Sequence, residues 1–317
     1  MTAGDDALAD SVGRARLRHQ AEQLRTFVGR FLGRRDGLIG GLILTVFFVL
    51  AIAPAVFVGP LENVVTATGA RFGAPSAEHL LGTDRQGRDM LNLAIHGTRV
   101  SMVIGLLATV ITVFIGSVIG IVSGFLGGRI DTVLMRLTDF FLVLPTFVLA
   151  LILAPILIDI IGTQAELFGM RVTLVVIVIV IGITSWASTA RIIRSQTLSL
   201  RERAFVDRAR VVGAGPGWIM ARHILPNVVN LIVANMVLTF AGAVLTETTL
   251  SFIGLGDPFQ PSWGQLLNQA QADGAAGLGA WWVIAPPGIA IIFVVLGFTL
   301  AGGALDDVLN PKLRGRR

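Results

Sequence analysis

From Leu38 to Val58 the chain runs for 21 residues without a charged side chain, and this run constrains the fold more than any other feature. As a helix rising 1.5 Å per residue it spans about 31 Å, the thickness of a hydrocarbon core, where a backbone must satisfy its own hydrogen bonds. Five further apolar runs lie near residues 100–125, 137–158, 172–190, 228–253 and 281–305. A composition that is 54% hydrophobic and 14% charged is too apolar for a soluble domain. The expectation is an all-α integral membrane protein with six transmembrane helices.

The charges between the runs give the orientation. Inner segments are read to hold Arg14, Arg16, Arg18, Arg25, Arg30, Arg34 and Arg35, then Arg129 and Arg136, then the arginines of residues 191–227, and finally Lys312, Arg314, Arg316 and Arg317. Of the 25 basic side chains this leaves only Arg71, Arg85, Arg88, Arg99 and Arg171 outside. Positive-inside placement thus puts residues 191–227 and both termini in the cytoplasm, and it explains the formal charge of +5 better than nucleic acid does. Residues 1–36, with Leu24, Phe27, Val28 and Phe31 at helical spacing, read as a cytoplasmic amphipathic segment on the inner face. Ala51-Ile52-Ala53 resembles a cleavage site, but Pro54 follows it, so the segment is read as a retained anchor ahead of a six-span domain over residues 37–317.

Residues 191–227 form a polar, arginine-rich island between two apolar runs. Ala204, Phe205, Ala209 and Val212 recur near the helical period, with Arg201, Arg203, Arg208 and Arg210 on the other side. The run Gly213-Ala214-Gly215-Pro216-Gly217 must end that helix. Taken from residues alone, the island is a helix, a glycine break and a second helix, or simply an arginine-rich loop with a chance Gly and Pro. Its spacing, with Asp207-Arg208-Ala209, then Gly213, then Leu225-Pro226, resembles the EAA loop of ABC-importer permeases. Arg208 stands where that family has Ala, His223 where it has Ile, and the acid is one methylene shorter. The resemblance implies that Ala204, Phe205, Asp207, Arg208, Ala209, Val212, Gly213, Ala214, Leu225 and Pro226 couple the subunit to an ATPase.

The outer segment contains His79-Leu-Leu-Gly-Thr-Asp-Arg-Gln-Gly-Arg-Asp89, followed by Gly97-Thr-Arg99-Val-Ser101. These closely resemble signatures of the C-type permease subunit of dipeptide, oligopeptide and nickel ABC importers. Glu247-Thr-Thr-Leu-Ser-Phe-Ile-Gly-Leu-Gly256 and Pro261-Ser-Trp-Gly-Gln-Leu266 agree. The C-terminal signature keeps Leu305, Asp307, Leu309, Pro311 and Leu313 but departs at Gly303, Asp306 and Asn310. The resemblance runs from about the first span to the last residues. Gly82, Asp84, Gly87 and Asp89 fit neither a P-loop nor an EF-hand, so a turn fixed by Gly and Asp is expected there and no metal site.

No catalytic residues are expected. Lys312 is the only lysine, so no Walker A loop exists in this sequence, and with no cysteine there is no thiolate nucleophile. His19, His79, His96 and His223 fall on both sides of the membrane and suggest no triad. Glu247, inside the fifth run among threonines, is either a pathway-facing carboxylate or one that snorkels to the headgroups or caps a helix end. Asp139 is read as an i, i+3 partner of Arg136. Pro145, Pro155, Pro286 and Pro287 fall within spans, where proline frees carbonyls and lets helices bend.

The resemblance implies a permease subunit of a type I ABC importer in a prokaryotic inner (plasma) membrane. It implies no cofactor in this chain, with ATP and Mg bound by partners. Those partners are a homologous B-type permease sharing the pathway, two ATP-binding cassette ATPase domains, an extracytoplasmic substrate-binding protein, and membrane lipid, with no nucleic acid. Di- or oligopeptide cargo is implied, while a nickel chelate, haem or another solute stays open. The alternative, a self-sufficient secondary transporter or channel, would need midplane carboxylates or an inverted repeat, neither of which is visible. A membrane-embedded enzyme would need a catalytic constellation that is equally missing.

Overall fold

The computed structural model describes residues 22, 25–61, 66–162, 166–167 and 170–309. Most of the amphipathic segment expected over residues 1–36, and the basic tail from residue 310 onward, therefore lie outside the described residues. Residues 25–32 are helical and lead into α1 (Arg35–Ile52), after which Pro54 restarts a short α2 (Pro54–Val58).

The central strut is α3 (Met90–Leu126), whose 37 residues make about 56 Å of helix. It begins some ten residues before the apolar run, because the Asp89 carboxylate accepts the Asn92 N–H at 3.1 Å and caps it. At its other end Gly127, at φ +70°, turns the chain directly into α4 (Gly128–Val143).

The third expected span is not one straight helix. The chain breaks between α4 and α5 (Thr146–Ile161), which meet at 89°. Pro145 forces Leu144 out of the helical region, to φ −76° and ψ 128°, and has no N–H with which to continue the ladder. A two-residue hairpin, β1 (Glu166–Leu167) against β2 (Met170–Arg171), precedes α6 (Val172–Thr184), which bends by 40° into α7 (Trp186–Arg201). Then come α8 (Ala204–Val211) and α9 (Pro216–Leu255), which carries π turns at Met220–Ile224 and Ser251–Leu255. Last are α10 (Trp263–Ala272) and α11 (Trp281–Leu309). Among the described residues, four helices are long and apolar enough to cross a membrane, and six spans result if each bent pair counts as one.

Small residues let these helices close on one another. A Cβ on Gly116, Gly120 or Gly124 of α3 would lie 2.6–2.8 Å from atoms of α7, so this glycine stripe seats α7 directly on the strut. Gly40 of α1 meets α11 in the same way, 2.7 Å from the Ala301 nitrogen. Between α3, α5 and α9, helix α6 is buried along nearly its whole length, as its unbroken Val and Ile run requires.

Candidate functional site

The polar island folds into an elbow. Helix α8 ends in a Schellman motif, with the Gly213 N–H donating to the Arg210 carbonyl at 2.9 Å and the Ala214 N–H reaching the Ala209 carbonyl at 3.0 Å. Gly213 makes this possible by adopting φ +85°, which a side chain would oppose. Pro216 then opens α9 at its first position, where its missing N–H leaves no helical bond unmade. At Pro226 the missing donor leaves the Arg222 carbonyl without its usual partner, and the helix widens into the π turn just before it. The Asn227 side-chain amide donates to the His223 carbonyl at 2.7 Å in the same stretch.

The elbow is seated on an apolar base. Val206 and Ala209 are buried against Ile219, Ile224 and Val228 of α9, Ile193 and Leu200 of α7, and Ile121 and Phe125 of α3. Val206 was absent from the apolar edge read in the sequence, although its i, i+3 spacing to Ala209 is a helical signal. Val212, which that edge included, instead points away: Val211 is 89% and Val212 84% exposed. Phe205, Arg208, Ala209, Val212, Gly213 and Ala214 of the expected set line one concavity of about 770 Å³, together with Gly215, Trp218 and His223. The His223 ring stands 5.1 Å from Trp218 and 5.8 Å from Phe205, filling the position where the family pattern has Ile. Asp207 is exposed beside this concavity and paired with Arg210 at 3.2 Å, and Ala204 is exposed at the start of α8. Leu225 and Pro226 are exposed past the π turn, with Leu225 lining an apolar groove against α3. The buried contacts of the elbow with α9 come from Ile219, Ile224 and Val228.

Ion pairs tie the base together. Arg194 donates to both oxygens of Asp131 at 2.6 Å, and Arg191 reaches Asp139 at 2.6 Å, so two ion pairs link α4 to α7. Asp139 therefore pairs across helices and not with Arg136, because the bend after α4 lays its polar face along α7.

Glu247 sits in α9 with 0% exposure. Its carboxylate accepts from Ser251 Oγ at 2.8 Å and Thr248 Oγ1 at 3.4 Å. Trp263 lies close above, donating its backbone N–H to Ser101 Oγ and its indole N–H to the Ala94 carbonyl, each at 3.2 Å. The Glu247 side chain reaches neither a headgroup zone nor an open face of this chain.

At the end of the bundle away from the elbow, residues 79–89 form a hydrogen-bonded cap. His79 Nδ1 is 2.8 Å from Asp89. Asp84 accepts the N–H groups of Gln86 and Arg88 and the Arg88 guanidinium, which also reaches Gln269 at 2.9 Å. Trp282 donates to the Thr83 carbonyl at 3.2 Å. The acids of this motif organise a turn, and Arg88 and the Thr83 carbonyl fasten it to α10 and α11.

Comparison with known proteins agrees with this architecture. The family described as "Binding-protein-dependent transport system inner membrane component" matches residues 116–315. The chain is 32% identical to the dipeptide transport system permease protein DppC of Bacillus subtilis, over 96% of this chain and 90% of that one. It is 34% identical to the oligopeptide transport system permease protein OppC of Haemophilus influenzae, over 89% and 86%. A chain of the MetNI methionine ABC transporter, solved in inward-facing conformations, shares the fold with a TM-score of 0.55 at 16% identity, covering 70% of this chain and 98% of that one.

Proposed function

We infer an assembly and a cargo for a chain that belongs to the family of binding-protein-dependent transport system inner membrane components. It is a permease subunit of an ABC importer, and the proposal is that it pairs with a homologous B-type permease to enclose a pathway for di- or oligopeptides or similar solutes. Two partner ATPase domains bind ATP and Mg beneath it, and an extracytoplasmic binding protein delivers cargo above. The names of its relatives support peptide cargo, and the arginine distribution supports an inner-membrane orientation with both termini cytoplasmic. Residues 1–36 are then an inner-face appendage, and residues 37–317 are the permease domain with its coupling loop at 191–227.

The observation that carries the coupling role is the elbow. Its tip exposes two adjacent valines, Val211 and Val212, while its base is buried in the packing of α3, α7 and α9. A short helix locked in this way moves as one body with the bundle, so displacement at the tip is passed on without melting the helix. Apolar contact supplies the grip, and the exposed Asp207–Arg210 pair supplies orientation with little energy.

The chain has no cysteine, so a single one introduced by Val211→Cys or Ala214→Cys reports without background from this subunit. In the assembled importer it is expected to cross-link to a cysteine placed in the ATPase cleft. Gly213→Pro, which cannot adopt φ +85°, is expected to leave ATP hydrolysis running while transport falls. Cross-links from residues 311–317, with none from residues 204–217, would assign coupling elsewhere.

A further inference from the structure

Where α5 ends, α6 begins and α9 reaches its final π turn, the subunit outlines a half-open cavity of about 620 Å³ whose polar lining includes Asp159, Arg171, Thr173 and Asp257. It lies at the end of the bundle away from the elbow, and the overall fold does not account for its charges. The Arg171 guanidinium carbon sits 4.5 Å above the centre of the Phe259 ring. Asp257, with its side chain 2% exposed, accepts the Phe259 N–H at 2.8 Å through one oxygen and faces Arg171 Nε at 3.6 Å through the other. The second distance is longer than a hydrogen bond, so the guanidinium is oriented by the ring and the buried carboxylate while its planar fork stays available.

A second charge lines the same cavity. Asp159, from α5, is exposed and has no ion-pair partner among the described residues. Glu166 stands cross-strand from Arg171 and is also exposed, which adds negative charge beside the cation. Phe259 is 64% exposed and offers an apolar ring beside Arg171. Gly254 and Gly256 also line the cavity, and a Cβ on Gly254 would come no nearer than 3.9 Å to another side chain.

We propose that this cavity is a reception site for a zwitterionic solute of the amino-acid or short-peptide class, with its free carboxylate on Arg171, its ammonium on Asp159 and an apolar side chain against Phe259. A bidentate pair with carboxylate is the geometry a planar guanidinium favours, and an unpaired acid is the matching receptor for an ammonium. The inference deepens the peptide reading given above and rests on it. It adds that the permease itself, and not only the binding protein, recognises both termini.

The test uses the assembled importer in lipid nanodiscs with its binding protein. Pro258→Cys introduces one thiol at the exposed rim of the cavity, and its modification by a charged methanethiosulfonate reagent is read from the mass of this chain. Alanyl-phenylalanine with free termini, supplied at about ten times its Kd, is expected to slow modification about tenfold by occupancy. The C-terminal amide and the N-acetyl form should protect far less. Arg171→Gln should abolish protection, whereas Arg171→Lys should keep part of it, and Asp159→Asn should remove the advantage of the free ammonium. Equal protection by all three peptide forms, or none by any, overturns the site. ATP-driven uptake of the same dipeptide is measured in parallel: uptake without protection sinks the cavity alone, and absence of uptake sinks the peptide reading.

Discussion

At the scale of single residues, Glu247 shows how burial redirects an argument made from position. A carboxylate in an apolar run must meet protein or water, and here it meets the hydroxyls of Ser251 and Thr248 inside the subunit. Its consequence is structural before it is anything else: both bonds close within the last turns of α9 and satisfy buried hydroxyls there. Glu247→Leu would leave two buried hydroxyls without their acceptor, each unmade bond costing about 1–3 kcal/mol. Glu247→Gln keeps an oxygen in place and should cost less. Thermal unfolding of the purified complex is expected to rank the variants wild type, then Gln, then Leu, with membrane insertion unchanged in all three. A leucine variant as stable as wild type would show that these hydrogen bonds carry no net energy.

Among the elements, the α3–α7 contact tolerates little added volume. At Gly120 a methyl group would sit 2.6 Å from the Ala190 carbonyl oxygen, a backbone atom that no rotamer change can move. Gly120→Ala is therefore expected to destabilise the subunit by about 1–3 kcal/mol through overpacking. The same substitution at Gly242 of α9, where nothing lies within 4 Å, should be neutral or stabilise by up to about 1 kcal/mol, because alanine favours the helix. Comparing the two unfolding midpoints separates close approach from helix propensity. If both alanines behave alike, the glycine stripe is not what sets the helix spacing. The elbow depends on the same contact, since α7 carries Ile193 and Leu200 into its base.

As a whole molecule, the subunit leaves much apolar surface uncovered: Ile52, Val56, Phe114, Val143 and Ile160 are each between 68% and 81% exposed. Lipid and a second permease are the covers expected in a membrane. Anything that binds only the folded form raises apparent stability by mass action. Co-purification with the partner permease should therefore raise the unfolding midpoint of this chain above that of the chain alone in the same detergent, and an unchanged midpoint would argue against a permease–permease interface. The chain alone should also hydrolyse no ATP, because its sequence contains no Walker A loop. Measurable hydrolysis without partners would overturn its assignment as the pathway-forming part.

Local chemistry decided by itself much of what this protein is. Uncharged runs of membrane-spanning length, arginines gathered between them, and Gly213 followed by Pro216 specify helices, their approximate places and the elbow, because hydrophobic length and backbone freedom are properties of short stretches. The motifs in residues 79–101 and 247–266 narrowed the family for the same reason, being contiguous. Tertiary structure alone decided the rest: the 89° angle between α4 and α5, the inward turn of Val206 in place of Val212, the partnership of Asp139 with Arg191, and the burial of Glu247. Each depends on which helix lies opposite and at what angle. Those relations are set by close packing between residues tens of positions apart, which the periodicity of a single helix does not encode.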